Sequence, residues 1–274
     1  FPPRFGLVSK GFGLLAPDSE LKDEISSDTF EVGAKMRSED FSGSCVFWYS
    51  DIRNWQTEAR GTWNGLGSLG GDPIYVTETG DAYLLGIEAQ GELRLRVLEG
   101  LLGREWGERL ENWRLGLGAA WNYGTDEAAK KGTGGEEIPM RHTQPAQFLI
   151  DLKWEGEDPT LNAWLEFRTE IVDRYSRIPD SRWNSDYGYF KDPQAWATGS
   201  YASKSDVPKI RSSSYLPGFT VFTLRGGWDL WQSEEADVSL VLGVENLSDK
   251  NYRRAHSRWD APGISFTSAV IVNF

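Results

Sequence analysis

Ten stretches in which apolar and polar residues alternate, apolar rows almost free of charge, and no apolar run approaching ~18 residues predict an all-β chain. The architecture expected is a transmembrane antiparallel β-barrel, which hides its membrane face in alternation. Strand length adds weight: the runs reach roughly 9–13 residues, where globular strands average ~5–6 and bilayer-crossing strands need ~9–11. Charge at the bilayer midplane costs about 2–4 kcal/mol, which selects against it on a lipid-facing row. A soluble β-sandwich also alternates, so a sandwich acting as a carbohydrate-binding module is the competing reading.

The first segment, Arg4 to Lys10, is the least regular. Phe30, Val32, Ala34 and Met36 then oppose Glu31, Lys35 and Arg37, and Phe41, Cys45, Phe47 and Tyr49 oppose Ser42, Ser44, Trp48 and Ser50. Over 83–95, Tyr83, Leu85, Ile87, Leu93 and Leu95 oppose Glu88, Glu92 and Arg94. Over 113–123, Trp113, Leu115, Leu117, Trp121 and Tyr123 oppose Arg114, Gly116, Gly118 and Asn122. The clearest split is Gln147 to Glu155, with Phe148, Ile150, Leu152 and Trp154 against Asp151, Lys153 and Glu155. Leu161 to Ile171 sets Leu165, Phe167 and Ile171 against Glu166, Arg168 and Glu170. Three more follow: Phe222, Leu224 and Trp228 against Arg225 and Asp229; Val238 to Val244 against Ser239 and Glu245; and Ile264 to Phe274. Trp113, Tyr123, Trp154 and Trp228 end apolar stripes, where aromatic girdles belong.

The connections alternate in kind. Those at 38–40, 155–160 and 231–237 are short; those at about 12–28, 53–80, 125–144, 172–216 and 247–262 are long, polar and rich in Gly, Ser and Pro. Outer-membrane barrels place short turns on the periplasmic side and long loops outside. One exception breaks the rule: 96–112, with Val97, Leu98, Leu101 and Leu102, suggests extra helix on the short-turn side.

Composition removes other classes. With 41 acidic against 29 basic residues the net charge is -12, which argues against a nucleic-acid partner. The single cysteine, Cys45, excludes an internal disulfide and a multi-thiolate metal site, and it reads as a small hydrophobe in its stripe. His142 and His256 stand far apart in expected outer loops, so no histidine-based metal centre and no nucleophile–base pair can be assembled. No cofactor and no enzymatic activity are expected.

Residues at both ends are more specific. Asn246-Leu247-Ser248-Asp249-Lys250-Asn251-Tyr252, then Ala261-Pro262-Gly263 and an alternating strand ending in Phe274, resemble the terminal strands of TonB-dependent outer-membrane receptors. Gly11-Phe12 with Ala16-Pro17, then Leu21 to Ser26 and Phe30 to Lys35, resemble that family's strand-to-loop element, with Asp23 where a proline is usual. The resemblance implies that residues 1–274 are the C-terminal portion of a receptor, about ten strands corresponding to the last ten of a 22-stranded barrel. The family's plug domain and first twelve strands are not found in these residues, and the chain opens at Phe1 without a leader, as a mature, trimmed or partial chain does. The family further implies uptake of a large scarce nutrient (a siderophore, haem, cobalamin or glycan) across the bacterial outer membrane. Energy would come from the TonB complex through the plug. The partners implied are outer-membrane lipid, the substrate, and the barrel-assembly machinery, which reads the terminal aromatic, Phe274 here.

Gly65-Leu66-Gly67-Ser68-Leu69-Gly70 fits a dinucleotide-binding pattern, but Gly71, Asp72 and Pro73 follow where a helix is needed, so a flexible loop is the better reading. Glu166 and Glu170 share a strand face about 13 Å apart, too far for an acid–base pair, and read as lumen-facing charge. The 172–216 loop carries Trp183, Tyr187, Tyr189 and Trp196, aromatic faces among charges that suit a sugar, an aromatic siderophore or a corrin. Tyr252 and Trp259 extend the same expected rim. The other reading of these aromatics is a loop that packs on its neighbours and closes the barrel mouth.

Overall fold

The computed structural model describes residues 8–10, 13–15, 24–60, 62, 64–127, 139–140, 143–158, 161–176, 216–233, 235–255, 257 and 260–274. Among them are twelve strands: β1 (Val8–Lys10), β2 (Gly13–Leu15), β3 (Ser26–Arg37), β4 (Phe41–Arg60), β5 (Ser68–Leu69), β6 (Asp72–Arg94), β7 (Trp113–Asp126), β8 (Gln147–Glu155), β9 (Trp164–Val172), β10 (Phe219–Gln232), β11 (Asp237–Glu245) and β12 (Ser265–Asn273). They form one sheet in the order β1-β2-β6-β7-β8-β9-β10-β11-β12, with β3 on β4, and β4 and β5 each on β6. Among the described residues the helical elements are a 3-10 turn at Leu95–Leu98, α1 (Glu99–Leu102) and α2 (Arg104–Leu110), at the position expected for helix.

The chain packs as two compact units, Phe1–Glu31 with Trp48–Gly86 and Tyr123–Thr143, and Val32–Phe47 with Ile87–Asn122 and Gln144–Phe274. In the first unit β1 and β2 make a small hairpin, and β2 runs parallel to β6 through Leu14 opposite Ile74. Ile74 and Ala82 are buried there, and Gly124 leaves room for Leu84 and Met140, whose atoms a Cβ would meet at 2.5 and 3.0 Å. Tyr49, Tyr83 and Tyr123 stack from strand to strand, with ring centroids 6.3 and 6.2 Å apart. Each sits toward the end of its strand's apolar row, as an aromatic girdle does.

The expected loop over 53–80 is mostly strand, because β4 runs to Arg60 and β6 starts at Asp72. Beyond the apolar band no face keeps one character, since Asp72 is exposed and Ile74 two residues on is buried, so the period-two signal vanishes while backbone pairing continues. Here Asn54 donates to the Glu24 carbonyl at 3.2 Å, Arg53 pairs with Asp28, and the Trp55 indole donates to Asp126 at 3.1 Å. The glycine motif is the tip of this hairpin. Ser68 pairs with Pro73 and Leu69 with Asp72, leaving Gly70 and Gly71 as a two-residue turn with φ of 64 and 92°. Two successive positive φ values are what a type I′ turn demands, and no helix follows to hold a pyrophosphate.

In the second unit β7 to β12 form an antiparallel meander. Register keeps the two rows separate. On one face Phe148 pairs with Ile171 and Leu152 with Phe167; on the other Asp151 pairs with Arg168 and Lys153 with Glu166. The apolar row is the exposed one: Phe148 is 49% and Phe167 39% accessible, whereas the side chains of Glu166 and Glu170 are 14% and 21% accessible. A water-soluble sandwich requires the reverse, with aliphatic rows meeting between two sheets. The only clustered core among the described residues is Val172, Phe219, Val221 and Tyr252, beneath a loop.

Candidate functional site

The inward face of the second unit carries a ladder of charge. Arg168 donates to Asp151 at 2.6 Å and lies 3.5 Å from Glu166, which also accepts from Arg225 at 2.6 Å. One strand over, Arg114 bridges Glu155 at 2.8 Å and Glu92 at 3.4 Å, and Lys153 also holds Glu155 at 2.8 Å. Register opposes Arg114 to Lys153, two like charges, and Glu155 lies within reach of both. Beside this ladder a groove of about 640 Å³ runs over Gly116 and Gly118, lined also by Lys35 and Arg37 of β3, Glu92 of β6 and Asp151 of β8. A Cβ on Gly116 would stand 3.3 Å from the Asp151 Cβ, so the missing side chains keep the wall flat there.

At the opposite end of β9 and β10 the 246–264 loop folds against the same inward face. Tyr252 is 7% exposed, its ring 4.2 Å from that of Phe219, over Val172 and Val221. Arg254 lies over both rings, 5.6 Å from Phe219 and 5.7 Å from Tyr252, and its two terminal nitrogens donate to Glu170 at 2.5 and 2.7 Å. Hydrogen bonding to Glu170 makes the guanidinium harder to deprotonate than an ordinary arginine. The neighbouring Arg253 is buried and holds Asp260 at 2.8 Å, pinning the returning arm of the loop.

The Asn246–Tyr252 motif explains itself in this setting. Asn246 is buried at φ 52°, a conformation Asn tolerates better than most residues. Its side-chain amide donates to the carbonyls of Lys250 and Pro262, at 2.9 and 3.1 Å, and its side-chain oxygen accepts from the Lys250 N–H at 2.8 Å. Asp249 accepts from the Ile264 N–H at 2.9 Å, and a Cβ on Gly263 would meet that carboxylate at 2.5 Å. Asn, Asp and Gly of the motif therefore clip the two ends of the loop together.

Of the six aromatic residues expected to meet a ligand, Trp183, Tyr187, Tyr189, Trp196 and Trp259 lie outside the described residues, as do His142 and His256. Tyr252 lies on the inward side, packed as above. Sequence reads Glu170 only beside Glu166, as lumen-facing charge, and does not join it to Phe219 or Arg254, because Arg254 stands 84 residues away and no period links them. Among the described residues no group of His, Cys, Asp or Glu has a metal-binding arrangement.

A family model described as "TonB dependent receptor-like, beta-barrel" matches residues 3–247. Similar solved structures include the copper transporter OprC (TM-score 0.59, 15% identity, 90% of this chain and 31% of that one). Another is the ferric enterobactin receptor PfeA of Pseudomonas aeruginosa, as a mutant in complex with enterobactin (0.57, 15%, 91% and 32%). A third is the FrpB iron transporter of Neisseria meningitidis (0.54, 11%, 95% and 32%). The chain thus spans about a third of the length of these structures. No curated protein matches. A matching model over most of the chain, a sheet with its apolar rows outward and its ion pairs inward, and neighbours of the same architecture lead to one conclusion: this chain belongs to the TonB-dependent receptor β-barrel family of the bacterial outer membrane.

Proposed function

We propose that residues 1–274 supply about ten strands, the last ten of a 22-stranded receptor barrel that imports a large scarce nutrient, of the siderophore, haem, cobalamin or glycan kind, with the short β1, β2 and β5 not all counted in its wall. TonB-coupled energy reaches it through the family's plug, and Phe274, fully exposed at the end of the last strand, is read by the assembly machinery. The supporting observation is the inverted burial, Phe148 and Phe167 outward and Asp151, Glu166 and Glu170 inward, in a chain of this family. It suits a wall between lipid and a wet lumen. The 246–264 loop, held by Arg254 and Glu170 over the inward face, narrows that lumen from the side of the long loops. Substrate contact is assigned to the outer-loop aromatics Trp183, Tyr187, Tyr189, Trp196 and Trp259, with Tyr252 as the packed base from which that rim is built.

The test is growth of a strain deleted for the full-length receptor on ferric siderophore, haem, cobalamin or a glycan as the limiting nutrient. Loss on one of the four, restored by the intact gene and not by a copy with Trp183→Ala and Trp196→Ala, supports the reading. Unchanged growth on all four, or recovery of the protein in the soluble fraction without detergent, overturns it.

A further inference from the structure

We infer that the helical segment between β6 and β7 is a membrane-surface anchor, its apolar side chains seated in the phospholipid of the periplasmic leaflet. The family's short turns lie on the periplasmic side, and this segment stands among them. Arg94 N–H donates to the Asp40 carbonyl at 2.8 Å, and Arg96 pairs with Asp40 and Glu39 at 2.5 Å, all in the β3–β4 turn. At its other end Glu155 N–H donates to the Asn112 carbonyl at 3.0 Å, and the Asn112 side chain donates to Glu157 at 2.8 Å, beside the β8–β9 turn. The segment is therefore fastened on both sides through its polar residues.

Its apolar residues have no such cover. Leu101 is 81% exposed, Trp106 49%, Leu102 48% and Val97 40%. A water-facing turn has no use for four such side chains in ten residues, and a turn of two or three residues would join the strands. Lipid is the occupant favoured by continuity. The segment leaves β6 directly after Leu93, the last residue of that strand's lipid-facing row, starts with Leu95 in the same alternation, and enters β7 at Trp113, the first of the next. It thus extends an interface that lipid already covers. The bend is set by Gly103, at φ 95°, which lets α2 fold back on α1 so closely that a Cβ on Gly107 would meet Glu99 at 2.6 Å.

The charges of α2 suit the headgroup layer. Arg104 pairs with Glu108 at 3.0 Å and Arg109 with Glu105 at 2.7 Å, each one helical turn away, and Arg109 also lies 5.7 Å from the Trp106 ring centre. Pairing lowers the cost of bringing these groups toward a medium of low dielectric. Tryptophan with arginine beside it is a usual resident of that boundary. An amphipathic segment of this kind lies in the interface plane with its apolar face roughly 5–10 Å into the headgroup–acyl boundary.

The experiment uses the full-length receptor with its native cysteines, Cys45 among them, replaced by serine, in vesicles of phosphatidylethanolamine and phosphatidylglycerol. A nitroxide is attached to cysteine placed by Leu101→Cys, by Glu108→Cys as the aqueous reference, or by Leu117→Cys as the lipid-row reference. Collision with oxygen, which enriches in lipid, is compared with collision with a water-soluble nickel chelate. The expected ratio of oxygen to nickel at Leu101 is severalfold that at Glu108 and approaches that at Leu117. A ratio equal to that at Glu108 overturns the inference, as does a label shielded from both probes, which would place a protein rather than lipid over this face. Should Leu101→Cys lower the yield of inserted receptor, Leu102→Cys is read in the same way.

Discussion

Arg254 reaches across 84 residues of sequence to take both carboxylate oxygens of Glu170, and in doing so lies over the rings of Phe219 and Tyr252. A loop with few apolar residues is thereby fixed to a strand. Arg254 is half exposed, so solvent screening leaves the ion pair about 0.2–1 kcal/mol, and the ring contacts add about 0.5–1 kcal/mol. Arg254→Ala should release the loop locally without unfolding the barrel. Limited proteolysis within 246–264 is expected to quicken severalfold while the heat-modified mobility of the barrel on gels stays unchanged. Arg254→Lys should restore part of the protection, since a lysine cannot make both bonds at once.

The same pair carries a pH prediction. Glu170 raises the pKa of Arg254 in the folded protein. A raised pKa contributes stability that is fully present below the ordinary value and fades only as pH climbs past the raised one. For an arginine both lie beyond moderately alkaline solution. Proteolytic protection of the loop should therefore show no arginine-derived decline from neutral pH into that range, and a midpoint near pH 8–9 would contradict the assignment.

Asn246 is a sharper lesion. Its alanine variant loses three hydrogen bonds, leaves the Lys250 N–H and the Pro262 carbonyl to find new partners, and places a Cβ residue without a local polar group at φ 52°. Each buried group left unmatched costs about 1–3 kcal/mol, and the backbone adds about 1–2 kcal/mol. Asn246→Ala should open the loop more than Arg254→Ala does. Asn246→Asp should fare little better, because its second oxygen would face the two carbonyls that the amide now donates to. Hydrogen exchange at Lys250 and Ile264 reads both.

Sequence revealed the sheet wherever the two faces meet different media. Over 147–155 the alternation located β8 to the residue, because lipid on one side and ion pairs on the other leave no freedom at Phe148 or Asp151. It failed over 53–60 and 72–80, where exposed Arg53 and Asp72 and buried Ile74 follow no face rule and no period survives. The motif at Asn246 was legible as a family mark, yet its work as a clip depends on where the Pro262 carbonyl and Gly263 arrive, which only the folded loop shows. The Arg254 anchor was invisible for a similar reason. A guanidinium in a loop carries no register, and its partner stands on a strand whose other acids look the same.

The hairpin tip separates local from global stability. Gly71 has φ 92° and open space around it, so Gly71→Val meets no clash and is penalised by backbone alone, about 1–2 kcal/mol. Amide exchange at Ser68, Leu69 and Asp72 should accelerate. Unfolding of the barrel in denaturant should not shift, since the tip lies outside the apolar band.

The decisive contrast is between two adjacent residues of β8. Leu149 faces inward opposite Glu170, and Ile150 faces outward opposite Thr169, in a row with Phe148 and Leu152. In a soluble sheet with an aliphatic core, the residue turned toward charged neighbours would be the surface one, and lysine at Ile150 would instead be buried against a second sheet. In a bilayer the wet side is the lumen. Leu149→Lys puts its ammonium among Glu170 and Asp151 and should leave insertion near the level of the parent. Ile150→Lys puts the same group in hydrocarbon near the middle of the strand, at a cost of about 2–4 kcal/mol, and should lower the inserted, heat-modifiable fraction severalfold. Both variants also lose a similar apolar side chain, so the difference between them isolates the medium on each face. Water-soluble maleimide applied to Leu149→Cys and Ile150→Cys receptors in vesicles gives the check that does not depend on stability. Labelling at 149 and protection at 150 are expected, and the opposite pattern would turn the sheet inside out.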